Sequence, residues 1–289
     1  MSKKIGIVLI WFAAFLITVT LAVFQRMTGP SYPLRGEVAP TATVEGFDYK
    51  LPRSHGGEGG LDVTVAAPDH FTAGSLEWRR YPTGEEWAAL ALIRNEEGRF
   101  GASVPHQPPA GKVEYRLILS STEESITLPE GEPVVARFRA GVPAWVLIPH
   151  ILAMFGSMLV STRAFLEAFR PSSQGPRISI IVAMGLLILG GLILGPIVQR
   201  FAFGAFWTGW PNGADLTDNK TLIAFLAWLP VTILAFGARK LRIALVVGWI
   251  VMMGVFLIPH SLRGSEMDWS EGEVKTGAIF RPAGPSVPV

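Results

Sequence analysis

The sequence predicts a helical membrane protein with five transmembrane helices and an all-β antiparallel sandwich outside the membrane. Three observations lead to this fold class. Five long apolar runs are present, and charged residues make up only 17% of the chain, whereas soluble domains carry about 25%. The polar block between the first and second runs instead alternates apolar and polar residues, with the period of two that is typical of half-buried strands.

A transmembrane helix needs about 20 mostly apolar residues, and five segments approach that length. The first run, residues 5–24, follows two lysines, as in a signal peptide. It is longer than the usual hydrophobic region of a signal and no A-x-A motif follows it, so we predict an uncleaved anchor. The other four spans are predicted within residues 142–169, 178–198, 221–237 and 243–258.

The distribution of lysine and arginine predicts the orientation, because short cytoplasmic connections of membrane proteins are enriched in these residues. A cytoplasmic N-terminus places eight of them inside: Lys3, Lys4, Arg163, Arg170, Arg177, Arg239, Lys240 and Arg242. The outer connection 199–220 carries only two. In a bacterial inner membrane, the polar block and the C-terminus then lie in the periplasm. The predicted organisation is an anchor helix (1–26), a periplasmic β-sandwich (27–140), a four-helix transmembrane bundle (141–260) and an extended periplasmic tail (261–289).

The polar block shows regular strand and turn signals. Leu61, Val63 and Val65 alternate with polar residues, and turn signals occur at 82–84 and 108–111. This punctuation predicts about seven short strands in an antiparallel sandwich. The glycine-rich segment 53–60 is predicted to be a flexible loop whose histidine is solvated.

The segments 76–81 and 109–116 resemble immunoglobulin-like and fibronectin type III-like domains. The resemblance is at the level of the fold, because the Cys–Trp–Cys pattern of immunoglobulins is absent. It implies a domain that binds or spaces other proteins. That implication is an analogy between folds.

Composition excludes several classes of site. The chain has no cysteine, which excludes disulfides, thiolate metal sites, iron–sulfur clusters and covalently attached c-type haem. A net charge of +2 implies no nucleic-acid footprint. No lysine, aspartate or glutamate lies in the middle of a predicted span, which argues against a pump or a secondary transporter.

Small residues on two spans predict close helix packing. Gly191 and Gly195 form a G-x-x-x-G motif on the third span, and Ala153, Ser157 and Ser161 form a stripe on the second. Small side chains let helix backbones approach closely in lipid. We predict that these two helices pack on each other; a seam for another subunit is the alternative.

The strongest candidate site lies at the outer face, where the tetrapeptide Leu-Ile-Pro-His occurs twice and ends at His150 and His260. Two histidines on different helices could hold a haem b axially. Together with nearby carboxylates they could instead ligate a divalent metal. The full candidate set is His150, His260, Asp215, Asp218, Glu266 and Asp268.

Structural roles for these residues are the alternative. Asp218 or Thr217 is expected to cap the fourth helix by accepting hydrogen bonds from its free N–H groups. Trp207 and Trp210 fit an interfacial aromatic belt. Histidines at helix ends often bind no ligand.

A third interpretation of the second span involves copper. His150, Met154 and Met158 lie on one helix face, and imidazole and thioether ligands suit copper(I). This arrangement resembles copper-resistance membrane proteins that join an immunoglobulin-like domain to a helical bundle. Methionines at helical spacing are more often packing residues.

The second half of the chain is similar to a group of uncharacterised bacterial multi-spanning membrane proteins. The similarity lies in segments 203–209, 215–221, 258–261 and 264–268, and it implies a bacterial membrane setting. We therefore expect a non-catalytic accessory or scaffold subunit, surrounded by lipid and by other membrane-protein subunits. A respiratory or photosynthetic electron-transport assembly is the expected host. The rival hypothesis is a haem b- or metal-binding redox protein.

Overall fold

The computed structural model describes residues 3–41, 45–170, 176–237, 241–259 and 264–275. The chain divides into two compact units. The helical unit comprises Met1–Pro30 and Val142–Gly264, and the β unit comprises Ser31–Gly141 and Ser265–Val289.

Helices form at all five apolar runs. They are α1 (Lys3–Thr28), α2 (Ala144–Glu167), a continuous helix over Arg177–Phe203, α5 (Leu216–Leu234) and α6 (Leu241–Leu257). The continuous helix consists of α3 (Arg177–Leu187), a π-helical segment (Ile188–Leu194) and α4 (Gly195–Phe203).

Among the described residues, three helices are long and apolar enough to cross a membrane, where the sequence predicts five. They are Lys4–Thr28, Ala144–Glu167 and Arg177–Phe203, with mean hydropathies of 2.7, 1.7 and 2.6. The other two fall short for different reasons. The first turn of α5 is polar, with Thr217, Asp218, Asn219 and Lys220, and α6 has only 17 residues. The structure therefore supports membrane helices, and five complete crossings remain a proposal.

The predicted packing of the second helix on the third is confirmed. Gly190 lies so close to α2 that a Cβ atom there would approach the Cβ of Ala153 to 2.9 Å. The Ser157 hydroxyl donates a hydrogen bond of 2.9 Å to a carbonyl of α3. Gly190 makes the closest approach. At the predicted Gly191 and Gly195, a Cβ would lie 3.6 Å from Met154 Sδ and 3.8 Å from His150 Cε1 of α2, and Gly191 lies closer to Thr221 of α5.

The β unit has three sheets built from residues 34–139. The strands are β1 (Leu34–Val38), β2 (Phe47–Leu51), β3 (Ser54–Gly56), β4 (Leu61–Val65), β5 (Ala73–Arg80), β6 (Ala88–Ala91), β7 (Ile93–Arg94), β8 (Phe100–Val104), β9 (Lys112–Ser120), β10 (Ser125–Leu128) and β11 (Val134–Arg139). In the largest sheet the strand order is β3-β11-β9-β5-β6, and β10 also pairs with β9. The second sheet has the order β4-β8-β7, and the third is the β1-β2 hairpin. The antiparallel prediction is confirmed except that β3 runs parallel to β11.

One core lies between these sheets. Leu61, Val63 and Val65 of β4 are buried while the residues between them are exposed, as the alternation predicts. They share a cluster with Leu117 and Leu119 of β9. At roughly 25 cal/mol per Å² of buried apolar surface, such a cluster supplies the driving force for folding in a domain without disulfides.

A C-terminal hairpin completes the β unit. Of the predicted extended tail (261–289), the structure describes residues 264–275. In this part, β12 (Glu266–Asp268) and β13 (Glu273–Lys275) pair antiparallel in a hairpin, and the rest of the tail lies outside the described residues. Within this unit the Met267 N–H donates to the Ala110 carbonyl at 3.2 Å, and the Trp269 indole N–H donates to the Tyr81 carbonyl at 3.1 Å. These long-range partners explain why the local pattern of the tail did not predict a hairpin.

Candidate functional site

Two of the predicted ligands, Asp215 and Asp218, lie where the connection from α4 enters α5. Gly204, at φ 88°, ends α4 in the left-handed conformation that glycine adopts without strain. The carboxylate of Asp215 accepts a hydrogen bond of 2.8 Å from the Thr217 N–H and caps α5. The prediction that Asp218 or Thr217 caps this helix is therefore wrong. The local sequence offers several capping residues, and the conformation of the connection selects Asp215.

Asp218 holds the connection itself. Its Oδ2 accepts hydrogen bonds from the Thr208 N–H at 2.6 Å, the Gly209 N–H at 3.0 Å and the Thr208 hydroxyl at 3.2 Å. The residue is only 5% exposed. The side chain of Gln199 on α4 also donates to the Thr208 hydroxyl. A Cβ at Gly209 would lie 2.6 Å from the Cβ of Asp218, so only glycine fits this close approach.

Lys220 links α5 to the end of α6. Its ammonium group donates to the carbonyls of Ile258 at 2.5 Å and Pro259 at 3.3 Å. Carbonyls at a helix C-terminus lack intrahelical partners, and a cation there satisfies them. On α1, the Gln25 amide donates to the Phe256 carbonyl at 2.5 Å. The ends of α1, α5 and α6 are thus joined by polar side chains that bind backbone.

His150 lies deeper in α2 than the sequence predicts. The helix begins at Ala144, which places His150 in its second turn and not at its first residues. Its Nδ1 lies 2.9 Å from the carbonyl oxygen of Gly190 in the π-helical segment. His260 lies outside the described residues, so the pairing of these two histidines stays a prediction.

Glu266 and Asp268, the remaining candidate ligands, belong to the β unit. Glu266 forms an ion pair with Lys112. Asp268 accepts a hydrogen bond of 2.9 Å from the Ser270 N–H in the turn of the hairpin. Within the described ranges, no three histidine or carboxylate residues are grouped so that they could hold a metal ion. The structure thus divides the predicted ligand set between the two units.

The methionines of the copper interpretation serve packing. Met158 is 2% exposed within the apolar core of the helical unit. The Sδ atom of Met154 lies 3.0 Å from the position that a Cβ on Gly190 would occupy. Both thioethers therefore fill space between helices.

Two features of the β unit carry no sequence motif. One is a surface cleft of about 510 Å³ whose charged lining residues are Asp48, Lys50, Asp62 and Arg99. Tyr49 also lines it, and burial together with the Glu130 carboxylate raises the pKa of this phenol. The other feature is a pair of histidines that are distant in sequence. Neither could be found from spacing, because each combines residues of several strands and loops.

Comparisons with known proteins do not identify the chain. No family model matches it, and no curated protein matches it. Among solved structures, it is similar to a crystal structure of beta-1,2-glucanase from Parabacteroides distasonis, with 13% identity and a TM-score of 0.24. The match covers 76% of this chain and 35% of that protein. A TM-score this low does not establish a shared fold, and the comparisons assign no family.

Proposed function

We propose that this chain is a non-catalytic accessory or scaffold subunit of a larger bacterial inner-membrane assembly. The helical unit anchors the chain, and the β unit is displayed in the periplasm. The proposal rests mainly on the use of the polar side chains at the outer connection. Asp215, Asp218 and Lys220 all bind backbone groups of their own chain, which is a structural use of charge. A respiratory or photosynthetic electron-transport assembly is the host that we infer from the membrane setting.

Chain continuity supports the five-crossing topology. The β unit is entered from α1, left at α2, and entered again after α6, since Ser265 onward belongs to it. The chain between α2 and α6 must therefore cross the bilayer an even number of times. α2 and the helix over Arg177–Phe203 are long and apolar enough to supply two of these crossings. It follows that α5 and α6 cross together or not at all, and the basic residues between them favour two crossings.

Cysteine labelling tests this topology, because the chain has no cysteine of its own. We expect Thr122→Cys in the β unit and Ser270→Cys in the hairpin to react with a membrane-impermeant maleimide in intact spheroplasts. Arg239→Cys, between α5 and α6, should react only after the membrane is permeabilised. Labelling of Arg239→Cys from outside would show that the two helices do not cross.

Purification from native membranes tests the scaffold role. In a mild detergent that preserves membrane assemblies, the chain should migrate on a native gel in a complex with other membrane proteins. Mass spectrometry of the excised band would then identify the partner subunits. Recovery of the chain only as a lone monomer, while neighbouring complexes remain intact, would contradict the proposal.

A haem b or metal redox protein is the second candidate, and the environment of His150 favours it. Because Nδ1 donates to the Gly190 carbonyl, the lone pair resides on Nε2, as in histidines that ligate metals. The carbonyl belongs to a π-helical segment, a feature that is frequent at functional sites. If this candidate is correct, the purified chain shows a Soret band or bound metal, and His150→Ala and His260→Ala each remove it. A sample with neither signal excludes it.

A further inference from the structure

The fold of the β unit brings two of the five histidines of the chain together. His55 lies in β3 and His106 lies just after β8. Parallel pairing places His55 opposite Phe138 of β11. The ring centroids of the two histidines are 6.5 Å apart, and both rings contact Phe138, at centroid distances of 5.3 and 5.9 Å. Phe138 is only 1% exposed, so a rigid core residue supports both imidazoles.

Hydrogen bonds to one loop orient both rings. Nδ1 of His106 lies 2.8 Å from the carbonyl oxygen of Gly59, and Nε2 of His55 lies 3.3 Å from that of Glu58. A neutral imidazole donates from one nitrogen and keeps a lone pair on the other. The lone pairs therefore reside on Nε2 of His106 and on Nδ1 of His55. Histidines that bind metal ions are typically held in this way, with the second nitrogen donating to a carbonyl.

The separation of the rings suits a shared ion. With metal–nitrogen bonds of about 2.0–2.1 Å, two imidazoles on one ion have centroids roughly 5–6.5 Å apart. The observed 6.5 Å lies at the upper end of this range, the separation expected for two imidazoles on opposite sides of one ion. His106 is exposed and His55 is half-buried, which leaves the pair accessible from solvent.

Glycine makes the orienting loop possible. Gly57 and Gly59 have φ angles of 97° and 86°, which residues with a Cβ adopt only with strain. The turn they form directs two consecutive carbonyls toward the two rings. The loop also carries the exposed carboxylate of Glu58, whereas the guanidinium of Arg139 lies beside Gly56. These opposite charges offset each other near the pair.

We propose that His55 and His106 form a site for one divalent transition-metal ion of the copper(II), nickel(II) or zinc(II) class, with water completing the coordination. Imidazole is the preferred protein ligand for these ions in a chain without cysteine. With two protein ligands, the site binds more weakly than a structural zinc site, which has four. The proposed site uses neither His150 nor His260, so it does not depend on the redox alternative.

Copper titration of the full-length protein in detergent tests the site. After one equivalent of copper(II) and removal of excess ion, we expect one bound copper per chain. Its electron paramagnetic resonance spectrum should show coupling to two imidazole nitrogens. His106→Ala should weaken binding by at least about tenfold. It is the decisive variant because its ring is exposed, so its loss should leave the fold intact, which a circular dichroism melt would verify.

A control variant locates the ion within the chain. His70→Ala changes another histidine of the same unit and should bind copper as the unsubstituted protein does. The inference is overturned if the unsubstituted protein retains no copper, nickel or zinc. It is equally overturned if His106→Ala and the double variant of His55 and His106 bind as tightly as the parent protein.

Discussion

Asp218→Ala should lower the free energy of unfolding of the helical unit by about 3–5 kcal/mol. The carboxylate is buried and accepts hydrogen bonds from the backbone of Thr208 and Gly209 and from the Thr208 hydroxyl. Alanine would leave these donors without an acceptor in a site that water does not reach. A buried donor without a partner costs about 1–3 kcal/mol, and one substitution affects three donors at once.

Denaturant unfolding in detergent micelles measures this effect. Trp207 and Trp210, two of the nine tryptophans, lie in the connection that Asp218 binds, so part of the fluorescence change reports on its local structure. Asp218→Asn should lower the free energy of unfolding by less than Asp218→Ala, because the amide oxygen can still accept hydrogen bonds. Asp62→Ala is the matched control, since Asp62 is exposed in the β unit, and its cost should stay within about 0.5 kcal/mol. If Asp218→Ala unfolds at the same denaturant concentration as Asp62→Ala, the carboxylate does not hold the connection.

Trp228→Ala should destabilise the helical unit by about 3–5 kcal/mol through loss of packing. Trp228 of α5 is fully buried, and its indole N–H donates to the carbonyl of Ile180 on α3 at 3.1 Å. The residue also lies beside Gly248 of α6, where a Cβ would come within 3.6 Å of the indole ring. This side chain of α5 thus contacts both α3 and α6, and truncation leaves a cavity between the three helices.

Thermal unfolding followed by circular dichroism at the helical band measures this loss. Trp228→Phe retains most of the volume and removes the hydrogen bond, so it should cost about 1–2 kcal/mol. Trp145→Ala serves as the control because Trp145 is 71% exposed. Equal melting temperatures for Trp228→Ala and Trp145→Ala would show that the indole does not join the helices.

The sequence predicted the elements that depend on local periodicity. Apolar runs predicted five helices because in lipid a chain satisfies its backbone hydrogen bonds within each helix. Alternation at Leu61, Val63 and Val65 predicted a half-buried strand because the strand period is two. The tail hairpin could not be predicted in this way, because its partners Ala110 and Tyr81 are distant in sequence.

In the candidate site too, the local sequence did not decide which residue makes which contact. Asp215 and Asp218 both suit a helix N-terminus, and only the path of the preceding connection decides that Asp215 caps while Asp218 binds Thr208. Small residues predicted close contact between two helices, and the helix rotation decided that Gly190 makes it.

By itself, the sequence determined helices that are long and apolar enough to cross a membrane and an antiparallel β unit, since continuous apolar runs and strand alternation are both local features of a sequence. Only the tertiary structure decided which polar groups meet. His55 and His106 come together through a parallel strand pair and a glycine turn. The physical reason is that such contacts depend on the register and rotation of elements distant in sequence, which no local pattern encodes.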